Sequence, residues 1–309
     1  MTESSRPRVV VVAGPTAAGK SALALRLAEQ VRGEIVVADS RQVYRGMDIG
    51  TAKAPAEVRE RVRHHAVDVV DPGDRFDASM FRDLALSAIH DATRRRVPMI
   101  VEGGTGLYLR ALVLGLVDMP SRDDELRERL RLEAEREGWP ALHARLAKVD
   151  PPYASRIQPT DPVRITRALE VYELTGKPMS AHLEEHGFKE RPLDVLGVLV
   201  EIQPATHRHN IRKRVELMWH AGLLDETRAL IARVGEQHPL VGTINYAQAA
   251  AHLRGEIDVD TALERMAVKT SQFAKRQRTW FRKEPWLRPL APDAHTGFLE
   301  EAGRFLTAV

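Results

Sequence analysis

Four consecutive valines at positions 9–12 stop at a glycine-bounded turn, after which Leu23, Leu27 and Val31 recur at four-residue spacing. An unbroken β-branched run of that length predicts a buried strand, and the recurrence predicts a helix with one apolar face. Short apolar runs at 35–38, 66–70, 99–101 and 196–202 read as further strands, and Met80, Leu84, Ala88 and Ala92 mark a helix between two of them. Strands that alternate with helices predict an α/β fold with a parallel sheet flanked by helices.

From about residue 120 to 192 the texture changes to charged, amphipathic helices. Leu126 with Leu130 and Leu169 with Tyr172 mark their apolar faces, Gly176-Lys177-Pro178 is a stop signal, and strand patterns are missing. The predicted organisation is the first part of an α/β core over 1–119, an all-helical insertion over 120–192, and a return to the core over 193–309 that begins with a strand in 194–202. Beyond Thr206, which reads as a helix N-cap, the pattern is mainly helical. Ile211, Val215 and Met218 form one stripe there, and Leu263, Met266, Thr270 and Ala274 another.

Composition narrows the function classes. The 309 residues are 43% hydrophobic and 5% aromatic, ordinary for a globular protein of one large or two smaller domains. The absence of cysteine excludes disulfides, thiolate zinc sites and a cysteine nucleophile. No apolar stretch approaches the roughly 20 residues needed to span a bilayer, and the apolar run after Arg8 is too short for a signal peptide. A cytoplasmic protein with no membrane segment is expected, with a monomer as the default. The net charge of +3 is small, so its distribution decides more. Residues 275–283 (KRQRTWFRK) hold five bases and no acid, whereas 122–137 hold five bases and seven acids and read as a self-paired, solvated helix.

The sharpest chemical signal is Gly14-Pro15-Thr16-Ala17-Ala18-Gly19-Lys20-Ser21, the P-loop pattern G-x-x-x-x-G-K-[ST] between a predicted strand and a predicted helix. Glycines there let backbone N–H groups close around phosphate oxygens, and the helix N-terminus adds positive potential. Lys20 brings a point charge, and the Ser21 hydroxyl can hold Mg²⁺. The pattern specifies a diphosphate or triphosphate and is silent about what carries it.

Asp39-Ser40-Arg41-Gln42 follows the second predicted strand, where residues of an open α/β sheet line the ligand crevice. Asp39 in that position fits either a turn cap or a catalytic base. Glu102-Gly103-Gly104-Thr105-Gly106 forms a second glycine-rich turn, and its acid resembles the metal-holding acidic position of an ATPase, which keeps a nucleoside triphosphate open as the ligand. Other cations cluster at Arg208, Arg212, Lys213 and Arg214, at Arg164 and Arg167, and at Lys275, Arg276 and Arg278 with Trp280 and Phe281 among them. Bases interleaved with aromatics suit nucleic acid, because cations take phosphate while rings stack on bases, yet Trp280 and Phe281 also suit a core. His64 and His65 lack partners at metal-site spacing.

Taken in order, GPTAAGKS, DSRQVYRGMDIGTAK, HHAVDVVDP, GGTGLY, DPVRITRALEVYELTGKP, RKRVELMWHAGLLDE and QFAKRQRTWFRK span nearly the whole chain, which resembles the tRNA dimethylallyltransferase, or tRNA isopentenyltransferase, family. The resemblance implies a P-loop NTPase-like core with a helical insertion that grips the anticodon arm of tRNA. It also implies Mg²⁺-dependent transfer of a dimethylallyl group from dimethylallyl diphosphate to the exocyclic amine of the adenosine 3′ of the anticodon. On that pattern Gly14 to Ser21 hold the donor diphosphate, Asp39 is the base, Thr105 supports it and Arg214 neutralises the leaving diphosphate. Asp39, Ser40, Arg41, Gln42, Thr105, Arg127, Val163, Arg164, Ile165, Thr166 and Arg167 match stretches that contact tRNA, and the Lys275, Arg276 and Arg278 cluster suits its backbone. The chain departs from the family at Val163, where glutamine is common, at Asn245, where glycine is usual before the tyrosine, and at an inserted Ala54. An adenylate isopentenyltransferase acting on a free nucleotide, a P-loop small-molecule kinase and a non-catalytic RNA-binding module are the competing readings.

Overall fold

The computed structural model describes residues 6–188 and 190–308. Six strands form one parallel sheet: β1 (Arg8–Ala13), β2 (Glu34–Ala38), β3 (His64–His65), β4 (Met99–Gly103), β5 (Asp194–Val200) and β6 (Leu287–Leu290), in the spatial order β3-β2-β4-β1-β5-β6. Early helices are α1 (Lys20–Val31), α2 (Ala56–Arg61), α3 (Ala78–Arg94) and α4 (Gly106–Leu114). Next come α5 (Asp124–Glu137), α6 (Trp139–Val149), α7 (Pro151–Ala154), α8 (Pro162–Thr175) and α9 (Met179–His186). The C-terminal third carries α10 (Pro204–His220), α11 (Leu223–Val234), α12 (Tyr246–Leu253), α13 (Val259–Phe281) and α14 (His295–Thr307). Two compact units result, residues 114–190 forming one and the remainder the other. Among the described residues no helix is long and apolar enough to cross a membrane.

In the α/β unit the central strand is the valine run. Val9 to Ala13 pair with Met99 to Gly103 on one side and with strand β5 on the other, and all four valines are fully buried. Parallel strands covered on both faces must be apolar throughout, which is why this run carries no alternation. Because every strand points the same way, the turns after β1, β2 and β4 emerge at one edge of the sheet. Tyr44, Met47, Tyr246 and Met266 belong to a second apolar cluster, formed with α10 to α13.

Several local expectations need correction. The strand expected over 66–70 is instead the two-residue β3 with a loop after it, because Ala66 and Asp68 take left-handed backbone angles (φ 62° and 54°) that no strand accepts. In α3 the buried stripe is Phe81, Ala85, Ile89 and Ala92: the first three fall one position later than the pattern suggested, Ala92 is as expected, and Met80 is 41% exposed. Helix α10 starts at Pro204 with Gln203 preceding it, so Thr206 lies inside the first turn and caps nothing. A proline at the first helical position loses no hydrogen bond there. Strand β6 had no sequence signature: it is four residues long at the sheet edge and contains Pro289, tolerated because an edge strand has one side unpaired.

The helical unit consists of α5 to α9, and among its described residues there is no strand. Asp123, Asp150 and Asp161 cap α5, α7 and α8 by accepting backbone N–H groups, and Leu130, Leu146, Ile165, Leu169 and Val171 form the core. Glu170 is fully buried inside it. Arg127 reaches Glu170 with two nitrogens at 2.7 and 2.8 Å, Arg167 with one at 2.6 Å, and the Asp123 N–H donates at 2.9 Å. Burial alone would raise this carboxyl, but the two guanidiniums and the N–H outweigh it and hold it down to about 2.

Candidate active site

The P-loop follows β1 and bends as its sequence requires. Gly19 takes φ 91°, an angle open to glycine, and Ala17 is held at φ 61°, a strained value for alanine that marks a loop shaped for a ligand. Three side chains from distant helices hold that shape. Gln277 of α13 accepts from the Thr16 N–H at 2.9 Å and donates to the Gly104 carbonyl at 2.9 Å, so one buried amide braces both glycine turns. A Cβ on Gly104 would sit 2.3 Å from that amide nitrogen, which explains the glycine. His207 and Asn210 of α10 reach the carbonyls of Thr16 and Ala17 at 2.8 and 3.3 Å.

The protonation of His207 follows from its neighbours. Its Nδ1 lies 2.9 Å from an Arg278 nitrogen, and a guanidinium can only donate, so Nδ1 accepts. Nε2 then carries the hydrogen and donates to the Thr16 carbonyl. Burial pushes the imidazole below its ordinary value and Arg278 pushes the same way, against the Thr16 carbonyl, so the ring is neutral.

Asp39, just beyond β2, uses one oxygen structurally. Its Oδ1 accepts the Arg41 and Gln42 N–H groups at 2.8 and 3.3 Å, while among the described residues nothing donates to Oδ2. Cap and reactive carboxylate are therefore compatible in one side chain. Thr105 accepts the Ser40 N–H at 3.1 Å through its hydroxyl and donates its own N–H to the Ala38 carbonyl at 3.1 Å, which ties the second glycine turn to the Asp39 loop. Half-buried Arg214 and Gln42 both donate to the Thr51 carbonyl, at 3.4 and 3.3 Å. Burial lowers the Arg214 guanidinium, with Asp39 and Glu102 opposing, so these three charges feel one another. Ser21, first in α1 after Lys20, donates to Glu102 at 3.1 Å; burial raises the Glu102 carboxyl, and Lys20 works against that rise. Phosphate cradle, free carboxylate oxygen and guanidinium thus meet at one sheet edge.

The proposed RNA contacts are divided by the structure. Val163 is 75% exposed and Arg164 55%, both on the first turn of α8, whereas Ile165 is wholly buried and anchors that helix, so its side chain is removed from the surface contacts. Arg127 and Arg167 are committed to Glu170, with Arg167 also donating to the Pro120 carbonyl. The cluster at 275–283 splits around α13. Lys275, Arg278 and Arg282 line a cleft of about 510 Å³ beside Pro15, Arg276 lies over the Phe273 ring at 5.8 Å, and Arg278 also braces His207. Phe281 is core, and Trp280 lies under Arg110 at 4.8 Å. His65 pairs with Glu34 at 2.7 Å, and no group of three or more metal-ligating side chains occurs among the described residues.

Gln277 and His207 escaped sequence reasoning because their partners are backbone atoms of the P-loop, 261 and 191 positions away. Only the unusual placement of Gln277 inside a basic run hinted at it.

Comparison with known proteins agrees with this architecture. The chain is 51% identical over 286 residues to a tRNA dimethylallyltransferase of Anaeromyxobacter dehalogenans, covering 92% of this chain and 95% of that one. It is 49% identical to the same enzyme of Geobacter metallireducens, with 92% of each covered. Among solved structures, a eukaryotic dimethylallyltransferase acting on tRNA superposes with a TM-score of 0.83 at 27% identity, over 98% of this chain and 80% of that one. The tRNA isopentenylpyrophosphate transferase of Bacillus halodurans gives 0.69 at 31% identity, over 97% of both. Residues 42–284 match the family model described as IPP transferase, and the chain belongs to that family.

Proposed function

We propose that this chain transfers the dimethylallyl group of dimethylallyl diphosphate to the exocyclic amine of the adenosine 3′ of the anticodon, giving N6-dimethylallyladenosine in tRNAs that read codons beginning with U. The observation that carries the reading is the grouping of Asp39, Thr105 and Arg214 around a complete phosphate cradle, in a chain of this family. An exocyclic amine is a weak nucleophile, so transfer needs an acceptor for its proton as the new bond forms. In this reading the amine nitrogen attacks C1 of the donor, the C1–O bond to diphosphate breaks, and the amine proton passes to Oδ2 of Asp39. The leaving diphosphate stays with the backbone N–H groups of the P-loop that the fold leaves free, with Lys20 and with Arg214, which stabilise its growing charge. Ser40, Arg41 and Gln42 shape the loop and its acceptor edge through their backbone N–H groups.

Mg²⁺ belongs to the proposal. The Ser21 hydroxyl beside a carboxylate is an all-oxygen donor set suited to it, and when bound it would offset charge on the diphosphate. The helical unit takes the anticodon arm, with Val163, Arg164 and Thr166 as surface contacts and Arg127 and Arg167 acting by holding α8 on Glu170. Lys275 and Arg276 take phosphates. The enzyme works as a cytoplasmic monomer.

Labelled dimethylallyl diphosphate with Mg²⁺ is the decisive reagent, offered with three acceptors: a tRNA carrying that adenosine, the same tRNA with guanosine there, and AMP. Label is expected in the first alone. Guanosine lacks the amine at the reacting carbon, and AMP lacks the arm that orients it. Comparable transfer to AMP would instead mean an adenylate isopentenyltransferase. Phosphate transfer from ATP to a small molecule, with no prenylation, would mean a kinase.

A further inference from the structure

Arg214 is steadied by a single atom of the protein. Among the described residues its one hydrogen bond goes to the Thr51 carbonyl at 3.4 Å, and the Gln42 side chain makes its one bond to the same oxygen at 3.3 Å. A guanidinium has five N–H donors, so this contact leaves most of them for a ligand. It also makes the place of Thr51 decide where Arg214 points. Gln42 comes from the loop of Asp39, so the two sides of the crevice lean on one carbonyl.

Thr51 belongs to no helix or strand. Its turn is closed internally, by the Ala52 N–H to the Ile49 carbonyl at 3.0 Å and the Lys53 N–H to the Asp48 carbonyl at 2.9 Å, and such bonds shape a turn without placing it. Placement comes from Glu226 of α11. Its Oε2 accepts the Asp48 and Ile49 N–H groups at 2.9 and 2.8 Å, and its Oε1 accepts the Gly50 N–H at 2.9 Å and the Tyr246 hydroxyl. Asn245 adds one bond, to the Gly50 carbonyl at 2.8 Å, and Lys53 ties the Asp48 side chain to Asp68. Three consecutive N–H groups that converge on one anion form a nest of the kind that elsewhere binds phosphate. Packing asks for no acid here: the Tyr246 ring already fills the space over Gly50, where a Cβ would meet it at 2.5 Å.

We infer that Glu226 is a positioning residue for the transfer: it sets the turn at 48–51 and, through the Thr51 carbonyl, aims Arg214 at the leaving diphosphate. The inference rests on the proposed transferase reading. A double-mutant cycle between Glu226 and Arg214 tests it in the full-length protein, with the Kd of inorganic pyrophosphate in Mg²⁺ measured by calorimetry. In Glu226→Gln an amide NH₂ replaces one oxygen and faces groups that need an acceptor, so the turn shifts. The Kd should rise about tenfold, a partial loss of a charge-assisted hydrogen bond. Single-turnover prenylation at saturating substrates should slow by about 10–100-fold, the cost of roughly an ångström of misplacement. Once Arg214 is replaced by alanine, the same change at Glu226 should move the Kd by less than about twofold, because residues that act through one group are not additive. A comparable rise in both backgrounds overturns the inference and leaves Glu226 a support of the fold. Tyr246→Phe is the stability control: it takes a hydroxyl from Glu226 but no bond from the turn, so the urea midpoint should fall while the pyrophosphate Kd stays put. A raised Kd there would mean that any loss of stability mimics the effect, and the inference fails. Should Glu226→Gln fold poorly by circular dichroism, Glu226→Asp keeps the charge on a shorter arm and enters the same cycle. A rise that vanishes with Arg214→Ala then supports the assignment, and an additive or absent one overturns it. Coupling without any tRNA prenylation would sink the donor reading while the positioning role stands; prenylation with additive effects would do the reverse.

Discussion

Arg278 on the α/β unit and Arg127 in the helical unit are both arginines that the sequence offers to RNA, and both are engaged by groups of the protein itself. Arg278 donates to a neutral histidine that in turn holds the P-loop, so its charge remains uncompensated close to the phosphate cradle. Arg127 shares a buried carboxylate with Arg167, and the three together carry a single positive charge. The first arrangement shapes a loop and supplies potential; the second closes a core. Counting bases along a segment therefore overstates what a surface offers to a nucleic acid, and it does so for different reasons in the two units.

The largest effect should come from the α/β unit, where chemistry is proposed. Asp39→Asn keeps a cap at Oδ1 but loses proton affinity at the other position, so single-turnover prenylation should slow by roughly 10²–10⁴ while tRNA affinity is retained. Near-normal turnover would remove Asp39 from the mechanism and leave it a cap.

Next in size is a stability effect that only the helical unit should show. Glu170 stands at about 2 in the folded protein against an ordinary 4.5, a lowered value, so its stabilisation is complete above about pH 4.5 and is lost as the pH falls from there toward 2. The difference corresponds to something on the order of 3 kcal/mol. Glu170→Gln should strip most of it at neutral pH, because two guanidiniums are left without their counter-charge. Hydrogen exchange read on α5 and α8 checks this: protection there should drop in the variant and, in the unaltered protein, between pH 4.5 and 2. Equal loss in the valine strands would mean that the units unfold together and that the contrast is false.

How the cluster at 275–283 divides gives a smaller, more specific test. Lys275→Ala should weaken tRNA binding and lower the magnitude of its salt slope by about one, the signature of a lost phosphate contact. Arg278→Ala should leave that slope alone and raise the KM for dimethylallyl diphosphate, through the slackened Thr16 carbonyl. Matching salt slopes for the two variants would restore the single basic surface that the sequence suggested.

What could be read in advance follows a physical line. The valine run, the P-loop and the strand-end positions of Asp39 and Thr105 were legible because each depends on neighbours in sequence: β-branching, glycine spacing, and the rule that crevices open at strand ends. Strand β6 and the loop after β3 were not, since a four-residue edge strand is made by its partner β5, and an alanine gives no local signal of the left-handed angle that Ala66 adopts. Arg276 and Arg278 looked equivalent, being two residues apart, but on a helix that separation places them on different faces, over Phe273 and against His207. Gln277 showed in the sequence only as a polar break in a basic run, because its role is set by two backbone atoms in other parts of the fold.

The smallest effect concerns Asn245, a departure from the family that the structure accounts for. It takes φ 77° and ψ −53°, a backbone suited to glycine and costing an asparagine about 1 kcal/mol or more. Its amide nitrogen donates to the Gly50 carbonyl at 2.8 Å, beside the point where Glu226 accepts the Asp48, Ile49 and Gly50 N–H groups and the Tyr246 hydroxyl. That hydrogen bond is worth about 1 kcal/mol net, and the buried Oδ1 finds no partner. Gain and strain nearly cancel, so Asn245→Gly should move the stability of the α/β unit by less than about 1 kcal/mol. Asn245→Ala separates the two contributions: it keeps the strained angle, drops the hydrogen bond, and should lower stability by about 1–2 kcal/mol in urea denaturation. If alanine proves as stable as asparagine, the bond to Gly50 contributes nothing, and the glycine usual in the family would be expected to stabilise the chain outright.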